Sequence, residues 1–519
     1  MSFAYFLRRA ARYWGDNPAV LYRDRLLTYR QLEDRSTRLA NALLALGLRK
    51  GDRVAIQSRN CPEIVEIECA LYKAGLVKAA LNPRFTAAEA SDVVENCTPR
   101  VMIVGPGYTG YSRDTRGFGS VEHFFAIEAG AAGHRDYETL VAGGGLAAID
   151  DTPHPDDLAV LHFSSGSTGK IKAAMQSYGN RLAALRKMIL TMDRPARPGD
   201  RLALIGPVTH ASGMLMQPYL FLGATLVLFE KFEPAHFLAE VARLQLTHVF
   251  MVPAMINMLL AEPTLANADL SSHKTLAYGA APMAPARIRE AWQRIGPVLS
   301  QGYGASESTS GVTRLSTADH ALAIDQYPER LASCGRALGE TEVRVVNERG
   351  VEVSGDEIGE LVIRGADVFQ GYWGEPALTS EVLIDGWLHT GDLARVDAQG
   401  YIYLVDRKKD MIISGGFNVY PRVIEEAVYE HPDVEEAIVV GVPDAYRGEA
   451  AKAFVKLREG SPPLTLEALR AFLADKIGRH EMPAALDIRD HLPRTAVGKL
   501  SKKELVEEER EKAALREAL

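Results

Sequence analysis

Cysteine is scarce in this sequence. The 519 residues carry four, Cys61, Cys69, Cys97 and Cys334, with neither a Cys-x-x-Cys pair nor a metal-type spacing. That excludes a disulfide framework and a zinc module, and it points to buried, reduced thiols of a cytoplasmic protein. Positive charge is short as well: 59 lysines and arginines face 67 aspartates and glutamates, a formal charge of −8 that argues against a nucleic-acid binder. No apolar run reaches the ~20 residues that span a bilayer. The most apolar stretch, Met214 to Phe229, contains Gln217 and Pro218 and reads as buried core. The N-terminus places Arg8 and Arg9 after a very short apolar stretch, the reverse of a secretory signal.

What is present fits a soluble globular enzyme, with 47% apolar, 24% charged and 8% aromatic residues. A single core stops growing near ~250–300 residues, so a chain of this length divides into domains. Leu32, Leu39, Leu43 and Leu46 recur at helical spacing between Thr28 and Leu46, and Gly47 is placed to end that helix. A strand at Arg53–Gln57 and a helix from about Glu63 to Ala74 follow. The rhythm returns at Val101–Val104, Leu202–Ile205, Thr225–Phe229 and Val249–Val252, which predicts an α/β body with mostly parallel, helix-covered sheets. From Gly335 to Tyr403 short β-type runs predict a small antiparallel sheet or barrel. Past the charged string Asp406–Asp410 the chain starts afresh, with a helix near Pro421–Glu430 and a strand near Ala437–Val442; Ser501 to Leu519 reads as a solvated terminal helix. No fixed-period repeat appears.

One stretch carries clear chemistry. Ser164-Ser165-Gly166-Ser167-Thr168-Gly169-Lys170-Ile171-Lys172 follows a strand-like segment with small hydroxyls, glycines and lysines. Glycines let backbone N–H groups approach phosphate oxygens, hydroxyls add donors, and lysine adds a point charge. A flexible Ser/Gly linker is the weaker reading, because a buried strand precedes the loop and lysines bound it. A P-loop fails on spacing: two residues separate Gly166 from Gly169, and Ile171 follows Lys170 where Ser or Thr is required.

This loop resembles the Thr-Ser-Gly-Thr-Thr-Gly-x-Pro-Lys signature of the adenylate-forming superfamily, which comprises acyl- and aryl-CoA synthetases, luciferases and peptide-synthetase adenylation domains. In that family it holds the pyrophosphate end of ATP, and here Ile171 replaces the usual proline. Further motifs of the family follow in order. Gly302-Tyr303-Gly304-Ala305-Ser306-Glu307 resembles the segment whose tyrosine stacks on adenine and whose hydroxyl and carboxylate serve phosphate and Mg2+; an aromatic face suits a purine and a carboxylate suits a hard cation. Taken alone, Gly-Tyr-Gly reads as a turn.

Thr390-Gly391-Asp392 resembles the motif whose aspartate accepts from both ribose hydroxyls, although Gly-Asp by itself also reads as a capped turn. By the same resemblance Arg407 contacts the ribose and Lys409 is the hinge. Gly415 and Gly416 match the glycine-rich turn beside the pantetheine arm of CoA, and a tight strand-to-helix turn is the compatible alternative. Lys499, in Pro493-Arg-Thr-Ala-Val-Gly-Lys499, matches the lysine that stabilises charge while the acid attacks the α-phosphorus. His210 takes the gate position of the acyl pocket, although a lone histidine is more often structural. Gly279, Ala280 and Ala281 match the segment walling that pocket beside adenine. Met214, Met216, Ser308, Ser310 and Val312 are further lining candidates, and Thr209–Ser212 offers no carboxylate for an amino-acid ammonium. With no obvious buried cation there either, the sequence favours a fatty, alicyclic or aryl acid.

The resemblance runs from about Tyr13 to Lys503 and is strongest to carboxylic acid:CoA ligases. It implies a body of two mostly parallel sheets and a small β-barrel over residues 1–407, then a mobile α+β domain over 408–519. The implied ligands are ATP, Mg2+, CoA and a small carboxylic acid, with a homodimer allowed. Loading of a carrier protein, or a non-catalytic acyl- and nucleotide-binding regulator, are the other functions to weigh.

Overall fold

The computed structural model describes residues 2–149, 153–165, 171–209, 211–444, 446–494 and 500–517. The first predicted helix forms at Tyr29–Ala45, where Thr28 and Gln31 close a capping box, and it buries Leu32, Leu39 and Leu43. Gly47 follows it with φ 89°, a conformation that favours glycine. The strand Arg53–Gln57 and helix Pro62–Ala74 follow as expected.

These elements belong to an eight-stranded sheet. Its strands Leu158–Ser165, Val77–Leu81, Arg53–Gln57, Val101–Val104, His123–Ala126 and Arg135–Asp136 run parallel, and Ile171–Ser177 joins antiparallel beside Leu158–Ser165. A nine-stranded sheet carries a second parallel set: Leu299–Gly304, Thr275–Gly279, His248–Met251, Arg201–Leu204, Thr225–Leu228 and Pro18–Tyr22. Apolar side chains from both sheets and the helices Phe3–Trp14 and Tyr178–Leu190 share one core. The Met214–Phe229 run is buried core, but it is built as a short helix Met216–Phe221 and a strand Thr225–Leu228, with Gly223 at φ 86° turning between them.

The β-rich stretch folds as a curled five-stranded antiparallel sheet from Thr341–Val346, Gly355–Gly365, Leu383–Ile384, Trp387–Val396 and Ile402–Arg407. The separate C-terminal α+β domain opens on a hairpin, Ile412–Ser414 with Phe417–Val419, that precedes the predicted helix, here Pro421–Tyr429. Its long strands Val434–Asp444 and Gly448–Leu457, with Ala485–Ile488 parallel beside the second, complete a five-stranded sheet, and Lys502–Glu517 is helical. One carboxylate joins this domain to the curled sheet. Asp406 accepts from the backbone N–H of Arg422, at the start of the helix, at 2.7 Å, and Lys502 Nζ stands 3.9 Å away. Among the described residues no helix is long and apolar enough to cross a membrane. The four cysteines are free, and burial pushes the thiols of Cys61 and Cys97 up to about 12 and that of Cys334 to about 11.

Candidate active site

The motif segments converge at the carboxyl ends of parallel strands, where open α/β sheets usually bind ligands. Gly279 ends one strand and pairs with Gly302 in the next, and Tyr303 and Gly304 follow directly. The pairing explains Gly279: a Cβ there would lie 2.2 Å from the backbone oxygen of Gly302. Gly304 is constrained in the same way by Ser310 O at 2.3 Å. Substituting Gly279 with alanine is expected to destabilise the fold by at least ~2 kcal/mol, measurable by urea unfolding, because the obstructing atom is backbone. Ala280, exposed beyond the strand end, sits at φ 64°, a strained conformation for a residue with a Cβ. Ala281 follows it and is half-buried. Behind them, buried Tyr278 donates to or accepts from His320 Nε2 at 2.9 Å, and burial holds that imidazole down at about 4.

Asp392 stands where the curled sheet meets this edge. Thr390–Asp392 is not a turn at a loop tip: it lies within the strand Trp387–Val396, and Asp392 pairs across the ladder with Arg407. Cross-strand neighbours meet side by side, so Arg407 Nε reaches Asp392 Oδ1 at 2.6 Å. Tyr303 Oη donates to the other carboxylate oxygen at 2.5 Å. Burial and this carboxylate push the Tyr303 phenol well above its ordinary value. Two contacts use about half of the roughly four lone-pair positions of a carboxylate, which leaves acceptor capacity for a cis-diol.

Glu307 lies beside this triad. Tyr372 Oη donates to its Oε1 at 2.7 Å, and the ammonium of Lys172 sits 5.4 Å from the centre of the Tyr372 ring. Gln176 Nε2 donates to the Ser306 carbonyl at 2.9 Å, which ties the loop to the hairpin strand. Among the described residues no group of three or more His, Cys, Asp or Glu forms a metal cage. A single carboxylate beside a lysine is the donor set expected where a cation takes its remaining oxygens from phosphates and water, so Glu307 fits Mg2+ in that way.

The predicted phosphate loop joins two antiparallel strands. Ser164 pairs with Lys172 and Ser165 with Ile171, so Ile171 opens a paired strand. Partial desolvation first, and then the nearby charges of Arg407, Lys172 and Lys502, hold the Lys409 ammonium below the usual lysine value against the pull of Asp410. Such a gathering of cations suits an anion. Gly166, Ser167, Thr168, Gly169, His210 and Lys499 lie outside the described residues, as does the Ser165 side chain. Gly415 and Gly416 form an exposed two-residue hairpin turn, not a strand-to-helix turn, with φ 58° and 84°. Two consecutive positive φ values account for both glycines.

A small cleft opens beside these segments, lined by Phe3, Arg181, Met188, Met214, Gln217 and Thr309 among others. Of the expected lining residues, Met214 reaches it, whereas Met216 and Val312 are packed in core clusters and Ser310 donates to Asp367. Arg181, a buried cation, stands in the wall of this cleft. Arg181 escaped notice because it comes from a distant helix; its position, three residues after Tyr178 and four before Leu185 on one buried face, was the available signal. Tyr372 and Gln176 were missed for want of any local motif.

A family model described as "AMP-binding enzyme" matches residues 7–373, and one described as "AMP-binding enzyme C-terminal domain" matches 423–499. The chain is 37% identical to a feruloyl-CoA synthase from Amycolatopsis sp over 96% of its own length and 97% of that protein's. It is 34% identical to the medium/long-chain-fatty-acid–CoA ligase FadD8 of Mycobacterium tuberculosis, covering 94% of this chain and 86% of that one. The structure of the amide bond synthetase McbA from Marinactinospora thermotolerans superposes with a TM-score of 0.88 at 30% identity, over 98% of this chain and 99% of that one. With both family models matched in order and the triad assembled at the sheet edge, the chain belongs to the AMP-binding enzyme family and so to the adenylate-forming superfamily, as an enzyme of the AMP-forming acyl- and aryl-CoA synthetase type.

Proposed function

We propose that this enzyme is an ATP-dependent carboxylic acid:CoA ligase acting in two halves, on an acid with a largely apolar alkyl, alicyclic or aryl body. The observation that carries the reading is the convergence of Tyr303, Asp392 and Arg407 beside Glu307 and Lys172. In the first half the Tyr303 ring faces adenine, Asp392 accepts from the ribose hydroxyls with Arg407 beside it, and the loop from Ser164 to Lys172 holds the phosphates. The Gly279–Ala281 segment walls the space between adenine and acyl group, and His210 is the gate. Glu307 would hold Mg2+, which would supply charge neutralisation at the phosphates. Lys499 steadies charge as the carboxylate attacks the α-phosphorus and pyrophosphate leaves.

In the second half residues 408–519 turn about Lys409, withdrawing Lys499 and bringing the Gly415–Gly416 turn toward the CoA thiol, which attacks the acyl-adenylate and releases AMP. Proline at 409 fixes φ. Lys409→Pro is therefore expected to slow CoA transfer about tenfold more than pyrophosphate release, a barrier difference of about 1.4 kcal/mol. Equal slowing of both would remove the hinge.

The likeness to an amide bond synthetase favours one second reading, in which the adenylate passes to an amine. Pyrophosphate release across fatty, alicyclic, aryl and amino acids, with product analysis in the presence of CoA, an amine or a carrier protein, separates these readings. A thioester formed only with CoA is the expected result, and preference for an amino acid would overturn the pocket reading.

A further inference from the structure

We infer that the cleft at Arg181 receives an oxygen-bearing far end of the acid, a phenolic hydroxyl or a second carboxylate, and that Arg181 selects for it by donating to that oxygen. The inference rests on the reading of this chain as an acid-activating enzyme, and it names the class of acid. Position comes first. Met214 lies four residues beyond His210 in the chain and Thr309 two beyond Glu307, and both line the cleft.

The polar groups in its wall are incompletely matched. Arg181, 7% exposed, donates from Nε to Tyr72 Oη at 3.0 Å, but its terminal nitrogens reach only Gln176 Oε1 and Gln217 Oε1, each at 3.4 Å. Glu68 is 3.8 Å away, and its own oxygens are taken by Lys78 Nζ at 2.6 Å and by Gln217 Nε2. Two buried cations thus share one carboxylate, leaving one formal positive charge beside the cleft. A guanidinium has five N–H donors, and the three hydrogen bonds of Arg181, two of them long, leave donors for a further acceptor.

A second observation points the same way. Thr309 is fully buried, at φ 58° despite its branched Cβ, and its hydroxyl has no hydrogen-bond partner. A phenolic hydroxyl would meet both groups, accepting from Arg181 and donating to Thr309 Oγ1. Phe3, Leu185 and Met188 supply the apolar remainder. An acid with an apolar body and a polar end fits this lining better than a plain alkyl or aryl acid.

Matched pairs test the inference: 4-hydroxycinnamate against cinnamate, and hexanedioate against hexanoate. Each is measured by calorimetric binding without ATP and by pyrophosphate release, for the wild-type enzyme and for Arg181→Met and Thr309→Val. Wild type is expected to favour the oxygenated member of one pair by about 10- to 100-fold in both measurements, the range of a charged hydrogen bond in a closed site. Which pair responds distinguishes a phenol from a carboxylate. Arg181→Met should bring that ratio near one, and Thr309→Val should lower it for the phenol only. Because the wild-type ratio and Thr309→Val stand without Arg181→Met, a poorly folded Arg181 variant leaves the test intact. Equal binding of both members in both pairs, or preference for the plain acid, overturns the inference. Preferential binding without pyrophosphate release would instead sink the ligase reading and leave this one standing.

Discussion

Replacing Lys499 with alanine is expected to slow adenylate formation by about 10²–10³-fold, the loss found when one donor to developing charge is removed from a closed site. Attack on the α-phosphorus spreads negative charge over its oxygens, and an ammonium held there acts mainly on the transition state. The defect should therefore fall on kcat for pyrophosphate release more than on the KM for ATP. Supplied acyl-AMP should still react with CoA at close to the wild-type rate, because on the proposed mechanism Lys499 is withdrawn in that half. Pyrophosphate release and thioester formation from synthetic acyl-AMP, measured on one preparation, check both statements. Equal loss in both halves would remove Lys499 from its assigned role.

Asp392→Ala should lower kcat/KM for ATP by about 10²–10³-fold, since truncating one partner of a hydrogen-bonded charge pair commonly costs 2–5 kcal/mol. On the proposed nucleotide role, three contacts fail together. The ribose loses its acceptor, Arg407 loses the carboxylate 2.6 Å from Nε, and Tyr303 loses the acceptor that orients its ring. Asp392→Asn separates them, because an amide keeps one acceptor oxygen but removes the charge that pairs with Arg407. The asparagine variant should fall between wild type and alanine. Steady-state kinetics at varied ATP, with thermal unfolding as a control for folding, decide the matter. Near-normal ATP kinetics in Asp392→Ala would detach Asp392 from the nucleotide.

Contiguous features were legible in the sequence. The strand rhythm gave the parallel sheets, and Tyr303, Glu307, Asp392 and Arg407 were marked by short motifs whose members meet in space. Contacts made by topology alone were not. Gln217 and Glu68 are 149 residues apart, and Arg181 and Tyr72 are 109 apart, yet they form one buried cluster because three helices pack there. Local chemistry misled at two places. Gly391-Asp392 has the composition of a turn but pairs within a strand, because Arg407 stands opposite. The Gly415–Gly416 pair turns a hairpin that precedes the helix, and short strands such as Ile412–Ser414 carry too little pattern to be read.

Asp406 sits immediately before the proposed pivot, while Arg422 and Lys502 stand beyond it. On the proposed rotation about Lys409, both would move away from the carboxylate. A hydrogen bond to a charged acceptor contributes about 1.5–3 kcal/mol, so this contact alone weights the two arrangements by roughly ten- to a hundredfold before any ligand binds. On that proposal Asp406 would work as a counterweight in a two-position balance: it would set how long the C-terminal domain rests in one orientation, and a lighter side chain there would shift that dwell time without touching a single reacting atom.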